Sequence, residues 1–492
     1  MTELHELPTL RKFEDGASTG DGAQTKGASA SSSPERAWAP RLDDRSRRTS
    51  EVDFGLSRTA SRATWTPSTA SQGLELPPVD GGRGAWAFVA AGTTLEAFIW
   101  GFSLSFGTFQ DHWSAPGGDF DSSSLVAISA IGTTCLSIQY TSMLYLAYVY
   151  RRFPYAVRSM TWAALALLVA ALFLSSFATA VWQLIILQGV LYGIGAGATY
   201  APVMLWLTEW WSARRGLACG LIFAGNGAAG FALPLLLGRL LRAVEWRWTL
   251  RIFAGSLMLV SGIALRFIRP RIPLPARPAQ PGPLPPISYA AFKSPLFWPL
   301  LACFFTQSLG LLPVSLYIPT FSTSLGQPAF QGQLALALYN LAGSFGIVAM
   351  GALSDRYAYT GVMFASALLS GICALVLWGL TSTLKLLLVF SILFGALASG
   401  YSSIWSVAAS ELAGRDATTS LTFSVLFGVF STAKGIAAIV GPIIAGLLRH
   451  PTDVQSAYGA FGFAPMVAFV GAAMLATALG SIGCELIRRR TK

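Results

Sequence analysis

Two residues of this chain place full charges where their surroundings are least polar. Glu96 stands near the middle of "AWAFVAAGTTLEAFIWGFSLSFGTF", Ala85 to Phe109, a run long enough to cross a bilayer as one helix. On insertion scales a carboxylate at that depth costs about 3 kcal/mol, so intramembrane acids face a cavity or a partner. There it can load and release protons, or it can make a structural ion pair or hydrogen bond between helices. Lys434 is the only lysine in the interior of an apolar run. It stands too far from a helix end to be explained by snorkelling to the interface, which places it in a cavity. It can neutralise Glu96, bind an anionic substrate, or exchange partners between two states. If the eleventh helix meets the second, Gln139 and Tyr140 are rival partners for it.

Four amides sit in mid-run, Gln188, Asn226, Gln307 and Asn340. Each can bind substrate, and each can equally join helices through a hydrogen bond worth under about 1 kcal/mol. Trp100, Tyr192, Tyr317, Tyr339, Tyr401 and Trp405 can stack on a flat substrate or simply pack.

The elements that must position these residues follow from composition. The 492 residues are 53% hydrophobic and only 12% charged, about half the charge of a soluble protein. Mean hydropathy is +0.55. Twelve apolar runs of spanning length lie between residues 84–109 and 459–486. The net charge of +11 comes from Lys and Arg at the ends of those runs, a topology signal that argues against nucleic acid as a partner. Arg151, Arg152, Arg158, Arg214, Arg215, Arg266, Arg269, Arg271, Arg277, Lys293, Arg356 and the ending "ELIRRRTK" fall on one side. The positive-inside rule makes that side, and both termini, cytosolic. The five cysteines are scattered without metal-ligand spacing, and no Walker, HExxH or GxSxG motif occurs. The expectation is a protein that is no enzyme and holds no cofactor or metal.

Residues 1–79 read as a disordered cytosolic tail, rich in Ser, Gly and Ala, and without a cleaved signal peptide. Residues 80–268 form a first six-helix half. Residues 269–295, "RPRIPLPARPAQPGPLPPISYAAFKSP" in essence, form a Pro-rich cytosolic linker, and 296–492 a second half. The halves repeat. "AGNGAAGFALPLLLG" lies over "TAKGIAAIVGPIIAG", which pairs Gly227 with Gly435, Pro234 with Pro442 and Gly238 with Gly446. Asn226 then occupies the position of Lys434. A repeated set of helices puts such equivalent residues near the midplane, facing the gap between halves, and is a mark of alternating-access carriers.

These stretches resemble the major facilitator superfamily and, within it, the fungal monocarboxylate-porter-like branch. The resemblance is carried by "PPVDGGRGAW" before the first helix, "EWWSARRGLACGLIFAGNGAAG" at the fifth, "GALSDR" from Gly351, "GPIIAG" and "YGAFGFAPMVAFVG". It implies an all-α fold of twelve transmembrane helices in two pseudo-symmetric halves. It implies a secondary transporter, with Asp355, Arg356, Arg214 and Arg215 as cytosolic gate residues. The departures carry information too. The first helix has no lysine, and the arginine usual in the eighth falls at Ile347, so the two cations that would hold a small carboxylate are missing. The expectation is proton-coupled export of a small organic secondary metabolite by a plasma-membrane (alternatively vacuolar) protein surrounded by lipid, most simply as a monomer. Two alternatives stand beside it. One is an uptake symporter for an organic acid or vitamin, and the other a non-transporting receptor with a transporter fold.

Overall fold

A single apolar segment can span a bilayer only as an α-helix, because each backbone N–H then finds its carbonyl inside the segment. The structure, a computed structural model, describes residues 76–114, 118–120, 123–274, 289–414, 419–449 and 458–491. Most of the expected tail and the central part of the expected linker lie outside the described residues.

Ten helices among the described residues are long and apolar enough to span. They include α1, Gly82–Trp113; α3, Pro154–Ser175; and α4, Val181–Trp210. After them comes Arg215–Leu265, 51 residues in length. At about 1.5 Å per residue this is more than twice the thickness of the hydrocarbon core. Glu245 breaks it, with φ 64° and ψ 164°. The expected turn in "RAVEWRW" is therefore a single residue, and it separates α5 (215–244) from α6 (246–265). The Trp210 indole N–H donates to the Arg269 carbonyl at 2.8 Å, which brings the start of α5 and the end of α6 to the same end of the bundle. The second half comprises α7, Phe297–Ser324; α8, Phe330–Arg356; α9, Tyr359–Trp378; α10, Leu384–Ala413; α11, Thr422–Leu447; and α12, Ala464–Arg490. The remaining helix, α2, is Leu125–Arg152, 28 residues. It is long enough to span but carries Thr133, Thr134, Ser137, Gln139, Thr141 and Ser142, which lower its apolarity. With α5 and α6 counted separately and α2 included, the helices of spanning length among the described residues number twelve.

Within the first half α1 packs on α5, and α4 on α2 and α3. In the second, α7 packs on α11 and α12, and α8 on α10. Exposed apolar side chains such as Leu259, Phe345 and Leu479 form the outer belt that a lipid environment requires.

The halves meet along α5–α8 and α2–α11. Glycines permit the close approach. A Cβ on Gly216 would lie 2.4 Å from the Gly351 carbonyl oxygen, and one on Gly220 2.7 Å from that of Ile347. Further along, a Cβ on Gly227 would meet Ser344 Oγ at 2.2 Å, and one on Gly230 would meet Asn340 at 3.0 Å. On the other side, Gly428 backs on Leu144 and Gly435 on Tyr140. The glycine contacts across the halves all fall between the end where the first and last described residues, 76 and 491, lie (the terminal end) and the middle of the bundle. Gly238, Gly441 and Gly446, nearer the far end, touch only their own half. The two halves are wedged together at the terminal end.

Candidate functional site

A cavity of about 160 Å³ lies between the halves, lined by α1, α2, α4 and α5 on one side and α7, α8, α10 and α11 on the other. Glu96, Asn226, Asn340 and Lys434 line it. The equivalence read from the repeat thus brings Asn226 and Lys434 into one space.

Glu96 opens a π-helical turn, Glu96–Trp100, inside α1. π-turns occur mostly as single-turn interruptions of α-helices, frequently at functional sites. The side chain is 2% exposed, and its Oε2 has no hydrogen-bond partner among the described residues. Tyr200, Asn226 and Lys434 are the polar groups that face the carboxylate. Lys434 does not come within ion-pair distance of it. Its Nζ donates to Ser402 Oγ at 3.1 Å and lies 5.3 Å from the ring centre of Trp405 and 5.6 Å from that of Tyr140. Ring faces attract an ammonium through their quadrupoles, so the cation is held without a carboxylate in contact. Of the two rival partners, Tyr140 meets Lys434 through its ring. Gln139 turns instead to Ser103 Oγ at 2.6 Å.

The other amides divide. Asn340 Nδ2 donates to the Gly230 carbonyl at 3.2 Å and ties α8 to α5 at the cavity wall. Gln307 is buried and donates to the Ala398 carbonyl at 2.8 Å, joining α7 to α10 away from the cavity lining. Gln188 sits in a second π-turn, Ile185–Leu191, 2% exposed and also outside the lining, and neither amide atom has a partner among the described residues. Among the aromatics, Trp100, Tyr339 and Trp405 line the cavity. Tyr192 bonds to the Ile99 carbonyl at 3.0 Å, Tyr317 to that of Pro442 at 3.3 Å, and Tyr401 packs on Phe304. Ile347 also lines the cavity, an apolar side chain at the position where the resemblance sets an arginine.

At the terminal end, Asp355 does its work on backbone. Its Oδ1 accepts from Gly216 N and its Oδ2 from Leu217 N, both at 2.7 Å, so a carboxylate of the second half caps the N-terminus of α5 in the first. A helix N-terminus offers unpaired N–H groups and a partial positive charge, which suits a carboxylate. Arg215 bonds to the Trp211 carbonyl at 3.2 Å, lies over the Phe423 ring and feels both Asp80 and Asp355. The side chains of Arg214 and Arg356 are exposed.

Sequence reasoning did not assign three polar residues here. Asp80 accepts from Ser212 N at 2.8 Å and from Ala213 N and Arg214 N, each at 3.0 Å, and so holds the α4–α5 loop. Burial pushes its carboxyl up, but the three amides outweigh that and leave it below the ordinary aspartate range. Its place in "PPVDGGRGAW" was the available signal. Tyr200 and Ser402 gave none, because Tyr, Ser and Thr are common in membrane helices for packing alone.

Two six-helix halves around a shared cavity, closed at one end by a carboxylate on a helix N-terminus, define a multi-pass membrane carrier fold. Over residues 85–332 and again over 314–480 the chain matches the Major Facilitator Superfamily, and it belongs to that family. It is 28% identical over 407 residues to the agnestins efflux protein of Paecilomyces divaricatus, covering 82% of this chain and 87% of the relative. It is 27% identical over 425 residues to an MFS-type transporter of Aspergillus fumigatus (82% and 90% covered). To the aspyridones efflux protein of Emericella nidulans it is 24% identical over 413 residues (84% and 80%).

Proposed function

We propose that this protein exports a small organic secondary metabolite by alternating access, with protons moving the opposite way through Glu96. The observation that carries the reading is the buried Glu96 carboxylate, its Oε2 without a partner among the described residues, in a cavity walled by both halves. A charge so placed marks a proton or substrate pathway by default. The names of two relatives, efflux proteins for agnestins and aspyridones, favour export over uptake. The cavity is lined within one chain, which supports a monomer as the working unit. The run of arginines at the terminal end supports cytosolic termini in a plasma membrane. Asp355 on α5 is then the cytosolic gate in its closed state, with Arg215 beside it and Arg214 and Arg356 at its surface.

The test is metabolite profiling of cells and medium in a deletion strain complemented with wild type or Glu96→Gln. Export predicts a compound that accumulates inside the deletion strain and returns to the medium with wild type. Glu96→Gln, at equal membrane abundance, should lose the dependence of flux on external pH. A compound that builds up outside the deletion strain would reverse the direction. Full function of Glu96→Gln at every pH would remove Glu96 from coupling. Loss of function on deleting residues 1–62 alone would favour a receptor instead.

A further inference from the structure

We propose that the cargo of this cavity is a neutral hydroxylated aromatic compound, which donates phenolic O–H groups to Glu96 Oε2 and Gln139 Oε1. The inference rests on the transport reading of the same cavity and gives its substrate a chemical class.

Two acceptors lead to it. Glu96 Oε2 and Gln139 Oε1 are both buried and without a hydrogen-bond partner among the described residues, and both side chains line the cavity, each 2% exposed. The orientation of the Gln139 amide is fixed by its neighbours. Gln139 Nε2 donates to Ser103 Oγ at 2.6 Å and to Cys135 Sγ at 3.2 Å. The amide nitrogen is therefore committed and the oxygen is left over. Buried acceptors are satisfied in native proteins almost without exception, and those that are not call for a ligand or water that donates.

The charge pattern sets the second property. Lys434 is the cavity's one cation among the described residues, and it is already engaged by Ser402 Oγ and two ring faces. A carboxylate cargo would bring a negative charge into a low-dielectric site, with no free cation among the described lining residues to meet it. Ile347 gives an anion nothing on the α8 side. A neutral donor meets no such penalty.

The walls set the third. Trp100 and Tyr140, their ring centres 4.8 Å apart, and Trp405 line the cavity with the aromatic surface a flat molecule would pack against. Trp405 Nε1 is also without a partner among the described residues and can donate to a ring-borne oxygen. Because an ionised Glu96 accepts better than a protonated one, cargo and proton compete for the same oxygen, as an exchange of one for the other demands.

The experiment is calorimetric binding to the purified full chain in nanodiscs, with three probes of one ring system: 1,3-dihydroxynaphthalene, its dimethyl ether and 1-naphthoate. The diol should bind, the ether about tenfold or more weakly, and the naphthoate no tighter than the ether. Gln139→Met keeps the side-chain length but removes the acceptor, and should narrow the ratio of diol to ether. The wild-type ratio alone tests the assignment if that variant fails to fold. Equal binding of diol and ether, no binding of any probe, or tightest binding of naphthoate that is lost in Lys434→Ala would each overturn it. Binding is read without a gradient, so a failure of the transport reading would show separately, as normal diol binding with no metabolite displaced in the deletion strain.

Discussion

Replacing Asp355 by alanine should shift the balance between the two ends of the carrier. In the structure both oxygens of Asp355 accept backbone N–H groups of the other half, Gly216 and Leu217, at 2.7 Å. Hydrogen bonds to a charged group contribute about 1.5–3 kcal/mol net, and this site is partly exposed, so water recovers part of the loss when the carboxylate goes. We take about 1.5–3 kcal/mol for the pair together. Under alternating access these bonds break as the terminal end opens. Their whole value therefore acts on the ratio of closed to open, at about tenfold per 1.4 kcal/mol, which gives a shift of roughly 10- to 150-fold toward open. The assay uses Ser431→Cys, a cavity-lining position, alkylated by a membrane-impermeant reagent applied from the side of the termini. The five native cysteines are all buried. Asp355→Ala should raise the alkylation rate by about tenfold or more. An unchanged rate, with the protein folded and abundant, would refute the assignment of Asp355 as the clasp.

Three other outcomes are expected. Gly216→Ala sets a Cβ 2.4 Å from the Gly351 carbonyl oxygen and should raise the same alkylation rate, whereas Gly262→Ala, whose nearest neighbour is Trp162 at 3.7 Å, should leave it alone. Asp80→Asn should remove one stretch of the acid unfolding curve. Its carboxyl is held below the unfolded value of 3.8, so it stabilises the fold above that pH and loses the contribution as pH falls through the lower folded value. Melting of the wild type in detergent should thus steepen below about pH 4 relative to Asp80→Asn, and parallel curves would count against the three amide bonds. Glu245→Gly should raise Tm, because φ 64° with ψ 164° is a region that costs about 1–3 kcal/mol in other residues, more than the entropy glycine adds, and a lowered Tm would show the turn to be held by the glutamate side chain.

Depth in the membrane was legible in the sequence, and direction around each helix was not. Glu96, Asn226, Asn340, Lys434, Gln188 and Gln307 all stand in mid-helix, but only the first four reach the cavity. In a soluble helix the apolar stripe tells which face is buried. In a membrane bundle lipid and core are both apolar, so hydropathy carries little phase. Gln307 satisfies its amide on a backbone carbonyl, which residue type cannot reveal. The repeat supplied what periodicity lacked: once Asn226 was laid over Lys434, one pseudo-symmetry brought both to the same gap. The clasp was half legible. Asp355 was named from its motif, but its partners are the backbone amides of Gly216 and Leu217, and every residue other than proline has an amide N–H. The one-residue turn at Glu245 was read only as a short junction, because a glutamate carries no signal for positive φ.

The π-turn at Glu96–Trp100 has a bearing on how α1 is wound. Such a turn holds one residue more than regular α-winding, and an α-helix advances by about 100° per residue. The stretches before and after it therefore keep the mutual alignment of a helix one residue shorter. Removing one residue from within the turn would leave Phe88 and Phe109 on the faces they now bury, while removing one elsewhere between them would swing one of those faces out of place. Glu96 sits at the start of that surplus residue. Its carboxylate is aimed by a local widening of the backbone that the rest of the helix does not feel, so the aim of the charge and the packing of the helix can be altered separately.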